Sequence, residues 1–219
     1  MHISSILGFK STTKALSRHI MNKICYREQI SEKDCGPTAF VNALIYLFKR
    51  SDIPTLVIRH VYKDTLDKPK SVGTSYEAMT KLAKWLKSYK KDNFSLDVLV
   101  KETDDVVFDG SCLKNKSSCG VLFVYFNNKF GHFITVLYET GEYIYCIDPY
   151  PREEETKPKE KEWEWLNPHK YEGCNLRIKR NYINEIKSKE IFRAGKLNER
   201  YFILIKRCKN KSRSDNQRM

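Results

Sequence analysis

The feature that most constrains this chain is a change of hydrophobic rhythm near Asn93. Before it, apolar residues recur at helical spacing. After it, they come in short blocks rich in β-branched and aromatic residues. Phe40, Val41, Leu44, Leu47 and Phe48 make one broad apolar face, which predicts a buried helix over residues 36–49. Pro37 suits its first turn, where a missing N–H costs nothing. Val57, Ile58 and Val61 mark a short helical piece. Met79, Leu82, Ala83 and Leu86 mark a further helix over 74–89, with Thr74 and Glu77 at capping-box spacing and Gly73 at the turn before it. Leu96–Val100, Val121–Phe126, Phe133–Tyr138, Tyr143–Ile147 and Tyr201–Lys206 read as strands. Glu139-Thr140-Gly141-Glu142 is a hairpin turn between two of them. Helices followed by antiparallel strands fit an α+β domain with a helix packed on a sheet.

Four stretches lie outside this pattern. Residues 1–24 are serine-rich and free of acids, with Leu16, Ile20 and Ile24 at helical spacing. They read as a basic N-terminal extension with a short amphipathic helix packed on the domain, although targeting peptides share that composition. Residues 151–172 are charged and proline-bearing, and read as a long loop or insertion that Trp163 and Trp165 anchor to the core. Residues 174–194 have no clear pattern, and the polar tail from Lys209 reads as disordered. The domain itself is expected over 25–208.

Composition narrows the class. A chain of 219 residues, 41% apolar and 12% aromatic, suffices for one domain with a real core. No apolar run reaches the roughly 18 residues that a membrane span requires. The net charge of +13, from 40 Lys and Arg against 27 Asp and Glu, is scattered and mixed with acids. Without a recognisable binding motif, it reads as a solvated basic surface rather than a nucleic-acid interface. The seven cysteines are odd in number, form no CxxC pair and show no zinc spacing with histidine. His60 and His169 lack a partner at ligand spacing. The expectation is a reduced, cytoplasmic protein with mostly inert thiols and no metal or cofactor. Cys112 and Cys119 are loop cysteines with no second feature, and Cys146 reads as strand packing.

One cysteine stands apart. Cys35 lies in Asp34-Cys35-Gly36-Pro37, at the junction of a loop and the buried helix. Unpaired N–H groups and the helix dipole favour negative charge there, which makes a thiolate nucleophile. Gln29, six positions earlier, carries an amide suited to a developing oxyanion. His132 opens one predicted strand, and Asp148 closes its hairpin partner. In an antiparallel hairpin those two ends lie side by side, so local geometry alone brings a base and a carboxylate together. Nucleophile, base and orienting carboxylate are the parts of a cysteine-type triad. Each alone has a bland reading: a buried thiol, a core histidine, an Asp-Pro turn, a surface glutamine. Their joint order argues against it.

These residues resemble the papain-like cysteine peptidases, most closely the bacteriocin-processing type, the thirty-ninth cysteine-peptidase family, and its soluble relatives. The matching pieces are Gln29, Asp34-Cys35-Gly36-Pro37, Gly73-Thr74-Ser75, Gly131-His132-Phe133 and Asp148-Pro149, within roughly residues 25–150. The resemblance implies a papain-like α+β fold with the nucleophile at the N-terminal end of a central helix. It implies that Cys35 attacks, His132 is the base, Asp148 orients it and Gln29 lines the oxyanion hole. Transporter-linked members carry membrane spans and a nucleotide-binding domain, which this sequence lacks, so their double-glycine leader specificity does not carry over. The implied activity is hydrolysis of a peptide or amide bond in a peptide or protein substrate. Two rivals stay open: acyl transfer by the same triad, and a catalytically silent module that binds peptides or partners.

Overall fold

The computed structural model describes residues 27–66, 73–91, 93–102, 113, 116–126, 130–150, 162–186 and 190–208. The N-terminal extension, the charged stretch 151–161 and the tail from Lys209 lie outside the described residues. Within them the protein is α+β, with four helices and an eight-stranded antiparallel sheet.

Helix α1, Cys35–Leu47, is buried along its whole length. Its sequence has no charged face to offer water, so it must lie inside the domain. Two side chains from the sheet reach its carbonyls: Thr135 Oγ1 donates to Ala39 O at 2.8 Å, and Cys119 Sγ to Ala43 O at 3.6 Å. Asn42, the polar interruption in its middle, is buried and bonds the backbone of Arg27 at both ends of its amide, at 2.9 and 3.1 Å. The helix stops at Leu47, earlier than expected, because Phe48 turns extended and stacks on Phe94 at 4.7 Å. Helices α2, Thr55–Thr65, and α3, Tyr76–Ser88, are amphipathic and bury Val57, Val61, Met79, Leu82 and Leu86. Ser75, not Thr74, caps α3, accepting from the Ala78 N–H at 3.2 Å. Gly73 turns the chain with a φ of 130°, and Thr74 falls before the helix.

The strands are β1 Lys90–Lys91, β2 Phe94–Glu102, β3 Ser118–Tyr125, β4 Gly131–Glu139, β5 Tyr143–Ile147, β6 Trp163–Trp165, β7 Leu176–Lys179 and β8 Tyr201–Arg207. Their order is β1-β2-β8-β3-β4-β5-β7-β6. A short helix, α4 (Arg180–Ile183), follows β7. Alternation splits each central strand between two cores. Val121, Phe133, Leu137, Tyr201 and Ile203 face the helices. Leu122, Val124, Ile134, Val136, Phe202 and Leu204 face the other way, onto Trp163, Ile183, Phe192 and Leu113.

That second layer is where the structure departs most from expectation. Residues 163–165 are an edge strand paired with β7, Trp163 opposite Ile178 and Trp165 opposite Leu176, not part of a long loop. Trp163 is buried, and both tryptophans meet the Phe192 ring edge-on, at 5.0 and 5.7 Å. The patternless stretch 174–194 supplies β7, α4 and Phe192, covering the face of the sheet that the helices leave open. Among the described residues no helix is long and apolar enough to cross a membrane.

Candidate active site

Three of the four residues singled out in the sequence meet at one end of α1. Thr135 of β4 pairs with Ile147 of β5, so the start of one strand lies beside the end of the other. His132 stands at that start, and Asp148 directly follows β5. His132 Nε2 and Asp148 Oδ1 are 2.6 Å apart, both side chains buried. So short a contact is that of a charge-assisted hydrogen bond. The same Oδ1 accepts the Tyr150 N–H at 2.9 Å.

The backbone of Asp148 is held by a residue that no sequence pattern singled out. Asn175 accepts the Asp148 N–H at its Oδ1 and donates its Nδ2 to the Asp148 carbonyl, both at 2.8 Å. Its place just before β7 carries it there through tertiary pairing alone. Phe126 and Tyr150 meet the His132 ring edge-on at 6.2 and 6.3 Å. They also meet each other at 5.6 Å, so the three rings form one aromatic cluster.

With Nε2 on the carboxylate, Nδ1 is the ring nitrogen left for Cys35. The thiol and the imidazole stand close enough for each to shift the other's ionisation. Burial pushes the Cys35 thiol up, but the hydrogen bond and charge of His132, with the N–H groups of Phe133 and Gly36, bring it net below its ordinary value. For His132, burial disfavours the charged ring. The charge and hydrogen bond of Asp148, helped by Cys35, outweigh it and raise the imidazole to about 9. A thiol brought down and an imidazole brought up both favour a thiolate–imidazolium pair. Cys146 shows the contrast: buried without such a partner, its thiol is pushed well up. Cys119 is buried and spends its S–H on α1; Cys112 lies outside the described residues.

Gln29 stands on the same side of the domain, tied by its N–H to the Pro149 carbonyl at 2.8 Å, one residue from Asp148. Its side chain is not open to solvent, as an exposed oxyanion donor would be. It is buried, its Nε2 donates to Ser31 O at 2.8 Å, and its Oε1 has no hydrogen-bond partner. Gly36 lets the helix begin this close to Thr74: a Cβ there would fall 2.7 Å from Thr74 Oγ1 and Cγ2. Among the described residues no group of three or more His, Cys, Asp or Glu side chains is arranged to hold a metal ion.

No protein-family model matches this chain, and no curated protein matches it in sequence.

Proposed function

We propose that this protein is a papain-like cysteine hydrolase that cleaves a peptide or amide bond. The observation that carries the reading is the buried run Cys35–His132–Asp148, its imidazole hydrogen-bonded to the carboxylate, with the thiol held low and the imidazole held high. A silent binding module has no need of a thiol and an imidazole so arranged. The Cys35 thiolate adds to the carbonyl carbon of the substrate, and the carbonyl electron pair moves to oxygen. The Cys35 N–H, a first-turn donor that the helix cannot use internally, and the Gln29 amide stabilise that oxyanion. The intermediate collapses as His132 gives its Nδ1 proton to the leaving amine, forming a thioester. Water, deprotonated by His132, then releases the acid and the free thiol. Asp148 keeps the ring oriented throughout and stabilises its charged form whenever Nδ1 carries a proton.

The test uses a library of peptide coumarinyl amides with the purified chain. Turnover is expected in the wild type and absent in Cys35→Ala and in a folded His132→Ala. Wild-type turnover in folded His132→Ala would refute the triad. Adding an amine acceptor and identifying the product by mass separates hydrolysis from acyl transfer.

A further inference from the structure

We infer that Asp34 is a positioning residue for the oxyanion donor: its carboxylate holds the turn that aims the Gln29 amide. The inference rests on the hydrolase reading and assigns a role that neither the triad nor the oxyanion hole gives to Asp34.

An aspartate just before a helix ordinarily caps it, its carboxylate accepting an N–H from the first turn. Asp34 does not. It stands at the cap of α1 without a side-chain capping bond. The carboxylate turns back along the chain instead: Oδ2 accepts the Ile30 N–H at 3.0 Å, while Oδ1 accepts the Ser31 N–H at 3.0 Å and the Ser31 hydroxyl at 3.3 Å. Asp34 is buried in this position. Three donors on one buried carboxylate make a stiff clamp. The clamp fixes Ser31, and the Ser31 carbonyl accepts Gln29 Nε2 at 2.8 Å.

The consequence follows from the shape of an amide. The two Nε2 hydrogens lie in one plane at a fixed angle. Once the Ser31 carbonyl takes the first, the direction of the second is set. The same carbonyl also selects the amide's orientation, since the flipped form would set two acceptors against each other. Nothing else bonds the oxygen end, because Gln29 Oε1 is buried without a partner. The aim of the donor therefore depends on Ser31, and through it on Asp34. The far end of the loop is pinned by the Gln29 N–H on Pro149 O. Leaving the first-turn N–H groups of α1 uncapped by a carboxylate also keeps them available for the thiolate and the oxyanion. The groups that set the Cys35 thiol are burial, His132 and the N–H groups of Phe133 and Gly36; Asp34 is not among them.

Two reactions of Cys35 separate aim from activation. With iodoacetamide the thiolate displaces iodide from a saturated carbon, and no oxyanion forms. With p-nitrophenyl acetate the thiolate adds to the carbonyl carbon, the electron pair moves to oxygen, and its return expels p-nitrophenolate to leave an acetyl thioester. Only the second reaction uses the donor. Asp34→Asn keeps one acceptor and sets an amide NH₂ against an N–H; it should slow acylation at least about tenfold, as misdirected catalytic groups do. Alkylation by iodoacetamide, and its pH profile, should match wild type. In a Gln29→Ala background Asp34→Asn should cost nothing further, because residues acting through one another are non-additive. Asp34→Ser, which keeps one acceptor without the opposing NH₂, serves if Asp34→Asn does not fold.

Unchanged acylation in the folded variant would overturn the inference. So would a parallel fall in both reactions, or a fully additive double variant. A separate result overturns the hydrolase reading itself: wild-type Cys35 no more reactive to iodoacetamide at mildly acidic pH than the buried thiols, shown by peptide mapping. The Asp34 variants do not enter that measurement.

Discussion

Asp148→Asn is the sharpest test of the charge arrangement in the site. Asp148 Oδ1 accepts both His132 Nε2 and the Tyr150 N–H, so an asparagine oxygen can serve both contacts. The Asn175 bonds go to the Asp148 backbone and survive the change. The substitution therefore removes charge and leaves shape. His132 is raised from 6.5 to about 9 even though burial pulls it down, and the Asp148 charge is the largest influence raising it. At about 1.4 kcal/mol per pH unit, that difference favours the imidazolium by about 3 kcal/mol. Loss of the carboxylate charge forfeits the largest of the influences that raise the ring, while burial stays. The thiolate–imidazolium population should fall by roughly 10²–10³ at pH 6. The sign of the pH dependence follows. In wild type the pair exists above the lowered thiol value and is lost as pH rises through about 9, where the imidazolium gives up its proton. In the variant, alkylation should wait for ordinary thiol ionisation, near pH 8.5. Stopped-time labelling with iodoacetamide across pH 5–10, read by mass spectrometry, should show a large deficit in acid that closes by about pH 10. Overlapping profiles would refute the role given to Asp148. A deficit that persists undiminished at high pH would show structural damage instead of lost charge.

Two further outcomes are expected. Gln29→Ala should lower kcat by about 10²–10³ with KM little changed, because the bond forms in the transition state. Its melting temperature should move little, since the change removes one hydrogen bond worth about 1 kcal/mol together with an unpartnered buried oxygen; a collapse in calorimetry would recast Gln29 as structural. Gly36→Ala puts a methyl 2.7 Å from the Thr74 side chain and should destabilise by about 1–3 kcal/mol in chemical denaturation. Adding Thr74→Gly should restore most of that loss, and no recovery would mean that the strain lies elsewhere.

Much of the fold was legible because its signals are local. The helical stripe of α1, the Val57–Val61 piece, and the four central strands with β8 stand close to where the hydrophobic pattern puts them. So does the hairpin that joins β4 to β5, with Thr140 and Tyr143 closing its turn at 2.8 Å. What escaped was β6 and β7. A three-residue strand among lysines and glutamates carries too few positions to show an alternation, and its hydrogen bonds depend on a partner thirteen residues away. The true cap of α3 also escaped, because Thr74 and Ser75 are adjacent and chemically alike; backbone direction alone decides between them.

The candidate site divides in the same way. The sequence by itself determines the parts: a cysteine before a buried helix, a histidine opening one strand, and an aspartate closing the hairpin partner. Those relations follow from helix ends and antiparallel pairing, which act over a few residues. The tertiary structure alone decides that the hairpin end meets the helix end, where His132 and Cys35 come together in a buried setting. It alone brings Asn175 behind Asp148, packs Phe126 and Tyr150 beside the imidazole, and turns the Asp34 carboxylate away from the helix that it precedes. The reason is physical: hydrogen-bond partners of a buried polar group are whatever folding delivers within about 3 Å. No spacing along the chain encodes a contact across 27 residues such as that of Asn175 with Asp148.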